Sequence, residues 1–148
     1  MYCNGIQSYR KTNVITSDPG RLVVMCYEGA IENLKLAKQK IKEKEYEKKE
    51  KAIIKAQDII NELLCSLDFE RGAAIANNLR SIYNYMLRRI LYGDVNRDID
   101  AIDEVIRLLN ELLSAWREVA SKPESQVQPA RENVYQEKRA VGSGYISA

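Results

Sequence analysis

The stretch DVNRDIDAIDEV, residues 94 to 105, sets Asp94, Asn96 and Asp98 at the first, third and fifth places of a calcium-loop spacing. Such a loop needs a glycine at its sixth place for a sharp turn and a bidentate glutamate at its twelfth. Ile99 and Val105 stand there instead. The acids read better as the first turn of a helix, where carboxylates favour the positive end of the helix dipole. Cys3, Cys26 and Cys65 are too dispersed for a zinc site. Cys65, on an apolar helix, reads as a small buried hydrophobe rather than a nucleophile. The chain has no histidine, which removes a histidine general base, a histidine-containing triad and a helical Glu-x-x-His metal motif. No Gly-rich phosphate loop is present. The expectation is a protein that is not an enzyme and uses no metal or cofactor.

Positive charge is the next chemistry to weigh. KQKIKEKEYEKKEK, residues 38 to 51, holds seven lysines interleaved with four glutamates. That mixture reads as a solvated hairpin between two helices rather than a nucleic-acid surface. Arg88 and Arg89 form a tighter basic pair, which alone reads as a solvated edge. The formal net charge of the 148 residues is only +2, so nucleic-acid binding would need a local basic patch. No nucleic-acid partner is expected. The start, MYCNGIQSYRKTN, lacks a signal-peptide pattern, and no apolar run approaches the ~20 residues that span a bilayer. Together with the odd cysteine number, this points to a reduced cytoplasm and no direct membrane insertion.

Behind these residues stand four helical segments. A chain of this length forms one domain that buries roughly two-thirds of its unfolded surface. The first helix begins at SDPGRL, with Asp18 as N-cap and Pro19 at the first helical position. Val23, Cys26, Ala30, Leu34, Ala37 and Ile41 follow at spacings of three and four. The second runs from Tyr46 to about Leu67, with Ile53, Ile60, Leu64 and Leu67 near one face. Gly72 in LDFERGAA interrupts it, able to take a left-handed or otherwise strained conformation. The third holds Ile75, Leu79, Ile82, Met86 and Ile90 and closes near Gly93. The fourth alternates three and four through Ile99, Ile102, Ile106, Leu109, Leu113 and Trp116. The fold class is all-α, an antiparallel four-helix bundle over residues 17–120. Residues 1–16 form an N-terminal segment packing on it, and residues 121–148, with two prolines, two glycines and no apolar stripe, read as a flexible, disordered tail.

The third helix has more apolar surface than one core face requires. Ile82 through Leu91 cover an arc of about 180°, and Tyr85 with Tyr92 lie about 100° beyond one edge. Ile54 and Cys65 are outliers on helix two, as are Val24, Met25 and Leu36 on helix one. Either this surplus is covered internally, in part by the N-terminal segment, or it forms a groove for a partner helix or an extended peptide. Pattern alone does not name the partner.

Several motifs, in order, resemble the FliS family of flagellar secretion chaperones, which bind flagellin. GIQSY (5–9) is similar to the family's N-terminal segment, and SDPGRLVVMCYEGAI (17–31) to its first helix. KAIIKAQDIINELLCSLDFERGAAIANNLRSIYNYMLRRI (51–90) carries the family's Ala-x-x-Ile-Ile, Leu-Asp-x-Glu, Ile-Ala-x-Asn-Leu and Tyr-x-Tyr-Met-x-Arg-Arg elements in sequence. LLNELLSAWREV (108–119) matches the closing pattern. Gly20 and Arg21 depart from the usual acidic or polar residues, and Ala73 with Ala74 replaces the usual Gly-Glu before Ile75.

The resemblance implies a cytoplasmic chaperone without catalysis. It would bind the disordered C-terminal segment of flagellin, prevent early polymerisation and assist delivery to the export gate component FlhA. In the family the N-terminal segment lies near the client groove, and Ile6 and Tyr9 match its anchors; a staple holding a frayed end is the simpler role for both. Helical geometry, rather than a family match, nominates Ile54, Cys65, Tyr85 and Tyr92 for flagellin binding. A self-associating structural or regulatory bundle, forming a weak homodimer when client-free, is the alternative. A nucleic-acid adaptor using residues 38–51 with Arg88 and Arg89 ranks behind it.

Overall fold

The computed structural model describes residues 19–121, which form four α-helices: α1 (Pro19–Lys42), α2 (Tyr46–Cys65), α3 (Ala73–Asn96) and α4 (Ile99–Ser121). Each packs on the next and α4 returns against α1, closing an antiparallel four-helix bundle. The Asp18 cap, the N-terminal segment with Ile6 and Tyr9, and the C-terminal tail lie outside the described residues. α1 opens at Pro19, where a locked φ and a missing N–H carry no penalty. With Gly20 and Arg21 following, its first turn holds no acid. Ala73 and Ala74 are the first residues of α3, so the departure at that point supplies strong helix formers.

The core follows from the three-and-four spacing. Cys26, Ala30, Leu34, Ala37 and Ile41 line the inner side of α1, and Ala52, Ile53, Ala56, Ile60 and Leu63 that of α2. Ile102, Val105, Ile106, Leu109 and Leu113 do the same for α4. On α3 the buried set is narrower: Ala76, Tyr83, Met86, Ile90 and Gly93. Two expected core residues therefore move outward. Ile75 is 68% exposed and Leu91 55% exposed. Leu64 and Leu67 pack only partly, and Leu63 takes the buried place on α2.

Two turns use left-handed residues that are not glycine. Lys44 (φ 59°) ends α1 and Arg97 (φ 51°) ends α3. In each case the next amide donates back five residues, Glu45 N–H to the Lys40 carbonyl and Asp98 N–H to that of Gly93, both at 2.9 Å. These bonds satisfy carbonyls left open at the helix ends. The Arg97 guanidinium stacks 3.9 Å from the Tyr46 ring centroid, which offsets part of the left-handed strain. Asp98 then caps α4, its carboxylate accepting from the amides of Asp100 (3.0 Å) and Ala101 (3.4 Å). The acids of residues 94–105 thus serve the helix start in part, while Asp94 does something else.

Neither glycine behaves as the pattern suggested. Gly72 is in extended backbone, φ −163°, immediately before α3. Gly93 does not close α3, which continues for three residues to Asn96. Its role is close approach: a Cβ there would lie 2.8 Å from Ile102 Cγ1 and 3.1 Å from the Asp98 carbonyl oxygen. Gly93→Ala gains about 1 kcal/mol of helix propensity. Overpacking against α4 costs about 1–3 kcal/mol, and the backbone oxygen leaves little room to yield. The expected outcome is a net loss of about 1–2 kcal/mol, read from urea melts with unchanged m-value.

Candidate functional site

α3 carries two apolar seams on opposite sides. At about 100° per residue, its buried residues occupy an arc of about 100°. Tyr85, Arg88, Leu91, Tyr92 and Val95 occupy a second arc of about 120°, centred on Arg88 and roughly opposite the first. Val95 is 72% and Tyr92 49% exposed, with Tyr85 and Leu91 also exposed. Tyr85, Arg88, Tyr92 and Val95 repeat at intervals of three, four and three, the spacing a docked helix meets in knobs-into-holes packing. The seam is about 15 Å long.

Polar contacts hold this seam outward. At the centre of the bundle the hydroxyls of Tyr27 (α1) and Tyr83 (α3) are 2.5 Å apart, both side chains fully buried. Burial raises the pKa of Tyr83, and the neighbouring Tyr27 adds to that. The pair stays neutral. Lys49 of α2, 8% exposed, donates to Asp94 of α3 at 2.5 Å and to Glu50 at 3.2 Å. Burial pulls the Lys49 ammonium down, and the two carboxylates more than restore it, leaving a net rise. Lys49 is therefore a buried pair member rather than part of a solvated hairpin. With Gly93 against Ile102, these contacts fix the rotation of α3.

Around Tyr85 the outer face is ordered by one carboxylate. Glu104 of α4 accepts from the Tyr85 hydroxyl and, at 2.8 Å, from Arg89 Nε. The hydrogen bond between them raises the pKa of Tyr85 and lowers that of Glu104, with Arg89 adding to the latter. Arg89 also lies 5.0 Å from the Tyr92 ring centroid. Tyr85 and Tyr92 are thus brought together on one seam and pre-positioned by α4.

The other nominated residues sit elsewhere. Ile54 is exposed on the outer side of α2, and Cys65, also exposed, is on that same side about 16 Å further along the axis. Cys65 is not the buried cysteine expected from pattern; Cys26 is. Burial pushes the Cys26 thiol up to about 11, and the Glu62 carboxylate adds to that, so it is an inert core group. Ile54 and Cys65 on α2 and the tyrosines leaning toward α4 form two surfaces, not one pocket. Leu91 and Val95 were missed as members of the outer seam, although their three-and-four relation to Arg88 was readable. Leu36 and Phe69 are further exposed apolar residues. Ile75 and Val119 flank the end of the bundle where α1 begins and α4 finishes.

Among the described residues no group of three or more His, Cys, Asp or Glu could hold a metal, and no helix is long and apolar enough to cross a membrane. The described residues thus form a closed four-helix bundle with an ordered apolar seam turned outward. The family model of the flagellar protein FliS matches residues 2–123. The chain is 34% identical over 128 residues to the flagellar secretion chaperone FliS of Salmonella typhimurium, covering 83% of this chain and 95% of that one. It is 31% identical over 115 residues to the protein of the same name from Bacillus subtilis, covering 78% and 85%. The Escherichia coli chaperone is 31% identical over 124 residues, covering 80% and 91%. The chain belongs to the FliS family, a family of flagellar secretion chaperones and not of enzymes.

Proposed function

We propose that this protein is a cytoplasmic export chaperone that binds the disordered C-terminal segment of flagellin, prevents its premature polymerisation and assists its delivery to the export gate component FlhA. The outward seam of α3 carries this reading. A disordered client loses conformational entropy on binding, so its receptor needs an extended apolar track. Tyr85 and Tyr92 offer large contact faces with hydroxyls able to meet a polar backbone. Ile54 and Cys65 give the same client a second, separate contact surface on α2, and Ile6 and Tyr9 contribute from the N-terminal segment. Residues 17–120 act as the chaperone domain in this scheme, with 1–16 as an accessory segment.

Calorimetric titration of the full chain with the C-terminal segment of flagellin from the same organism tests it. Saturable one-to-one binding with a negative heat-capacity change is expected. In a Cys3→Ser background, the bound segment slows alkylation of Cys65 at least fivefold, while Cys26 stays unreactive until the bundle unfolds. A folded protein that ignores the segment and instead dimerises with concentration would move the function to self-association. Binding with no change at Cys65 would remove that residue from the contact surface.

A further inference from the structure

Four arginines lie on or beside α3, and three already have partners. Arg80 stacks on Phe69 at 5.3 Å, Arg89 engages Glu104 and Tyr92, and Arg97 stacks on Tyr46. Arg88 is exposed and makes no hydrogen bond, ion pair or ring contact among the described residues. It is also the midpoint of the outer seam, with Tyr85 one turn before it, Tyr92 one turn after it, and Leu91 and Val95 beside it. The only acid on α3 is Asp94, and Lys49 holds it. Glu104, an acid of α4 that faces this helix, is occupied by Tyr85 and Arg89. The seam therefore presents an apolar and aromatic track with one uncompensated positive charge at its centre.

We propose that Arg88 sets the specificity of this seam: it selects a client segment that binds as an amphipathic helix with a carboxylate placed among its apolar residues. The proposal rests on the flagellin reading above and names what that reading leaves open, the chemistry the client must present at one point. A purely apolar segment docking here would cover Arg88 without a counter-charge, and an unpaired desolvated guanidinium is costly. A carboxylate at that place turns the same residue into a bidentate, charge-assisted contact. A basic segment is repelled. The apolar residues supply contact area and Arg88 supplies discrimination.

The test compares wild-type protein and Arg88→Glu in calorimetric titrations with a synthetic C-terminal flagellin peptide from the same organism. A parallel panel replaces each Asp or Glu of the peptide in turn by Lys. Because Arg88 is exposed and unpaired, the variant is expected to keep its circular dichroism spectrum and melting temperature. Its affinity for the native peptide falls at least tenfold, and one member of the Lys panel recovers most of that loss. Equal binding of the native peptide by both proteins, or a loss that no panel member recovers, overturns the proposal while leaving the flagellin reading in place. Failure of the wild-type protein to bind any peptide overturns both. Binding of a DNA or RNA oligonucleotide that weakens steeply with salt and disappears in Arg88→Glu, with peptide binding unchanged, assigns the charge to nucleic acid and overturns the proposal as well.

Discussion

Tyr83→Ala lowers the unfolding free energy by about 3–5 kcal/mol. Small domains are stable by about 5–15 kcal/mol in all, so this one truncation removes a large share. Three effects add. The ring is fully buried, and its loss leaves a cavity in a core that relaxes only partly. The Tyr27 hydroxyl loses the partner 2.5 Å away. The tilted contact between the two rings, centroids 6.3 Å apart, disappears. Tyr83→Phe separates these contributions, because it keeps the ring and removes only the hydroxyl, for an expected loss of about 1 kcal/mol. Urea denaturation followed by far-ultraviolet circular dichroism reads both. A loss below about 1 kcal/mol for Tyr83→Ala would mean that the centre of the bundle repacks freely and that the tyrosine pair does not define it.

Asp94→Leu gives the second large effect, about 2–4 kcal/mol. Removing one member of a largely buried pair strands the other, and Lys49 then keeps only the longer contact to Glu50. The double variant Lys49→Met with Asp94→Leu is expected to recover most of that loss, since two well-packed apolar side chains can replace a buried pair at little net cost. The thermodynamic cycle of both single variants and the double variant measures the coupling. Additive losses would show that the two side chains do not depend on each other.

Much of the bundle was readable, and the failures have a common cause. α4 alternates threes and fours so regularly that Ile102, Ile106, Leu109 and Leu113 could only face inward, and they do. Pro19 is the first described residue and is already helical, as its fixed φ allows. α3 was harder because periodicity gives the angles between residues and not the direction of the core. With apolar residues on both sides, Leu91 fits either seam, and only contacts from other helices decide. The Lys49–Asp94 pair joins residues 45 apart in sequence, and Lys49 stands in a run of seven lysines of which Lys38 also pairs across the bundle, with Asp103, so no local signal singled out either. Lys44 and Arg97 hid their left-handed turns because glycine is the usual marker and neither is glycine. Tyr85 and Tyr92 were legible as outliers, yet their ordering by Glu104 depends on α4 and lies beyond any single-helix pattern.

The two seams of α3 also pose a problem of degeneracy. Over residues 85 to 95, rolling this helix by half a turn about its own axis would exchange one apolar stripe for another, whereas the preceding turns carry Asn77, Ser81 and Asn84 on that outer side. What separates the two states is polar. The rolled helix would carry the Arg88 charge into the centre of the bundle, turn the Tyr83 hydroxyl and Asp94 carboxylate away from their partners, and lift Gly93 from the one place where only a hydrogen fits. Tyr27, Lys49 and Ile102, one from each surrounding helix, thus act as three independent keys for a single orientation. Their joint effect is measured by uniqueness: they keep a helix with two sticky sides from choosing the wrong one, which leaves the other free to be used.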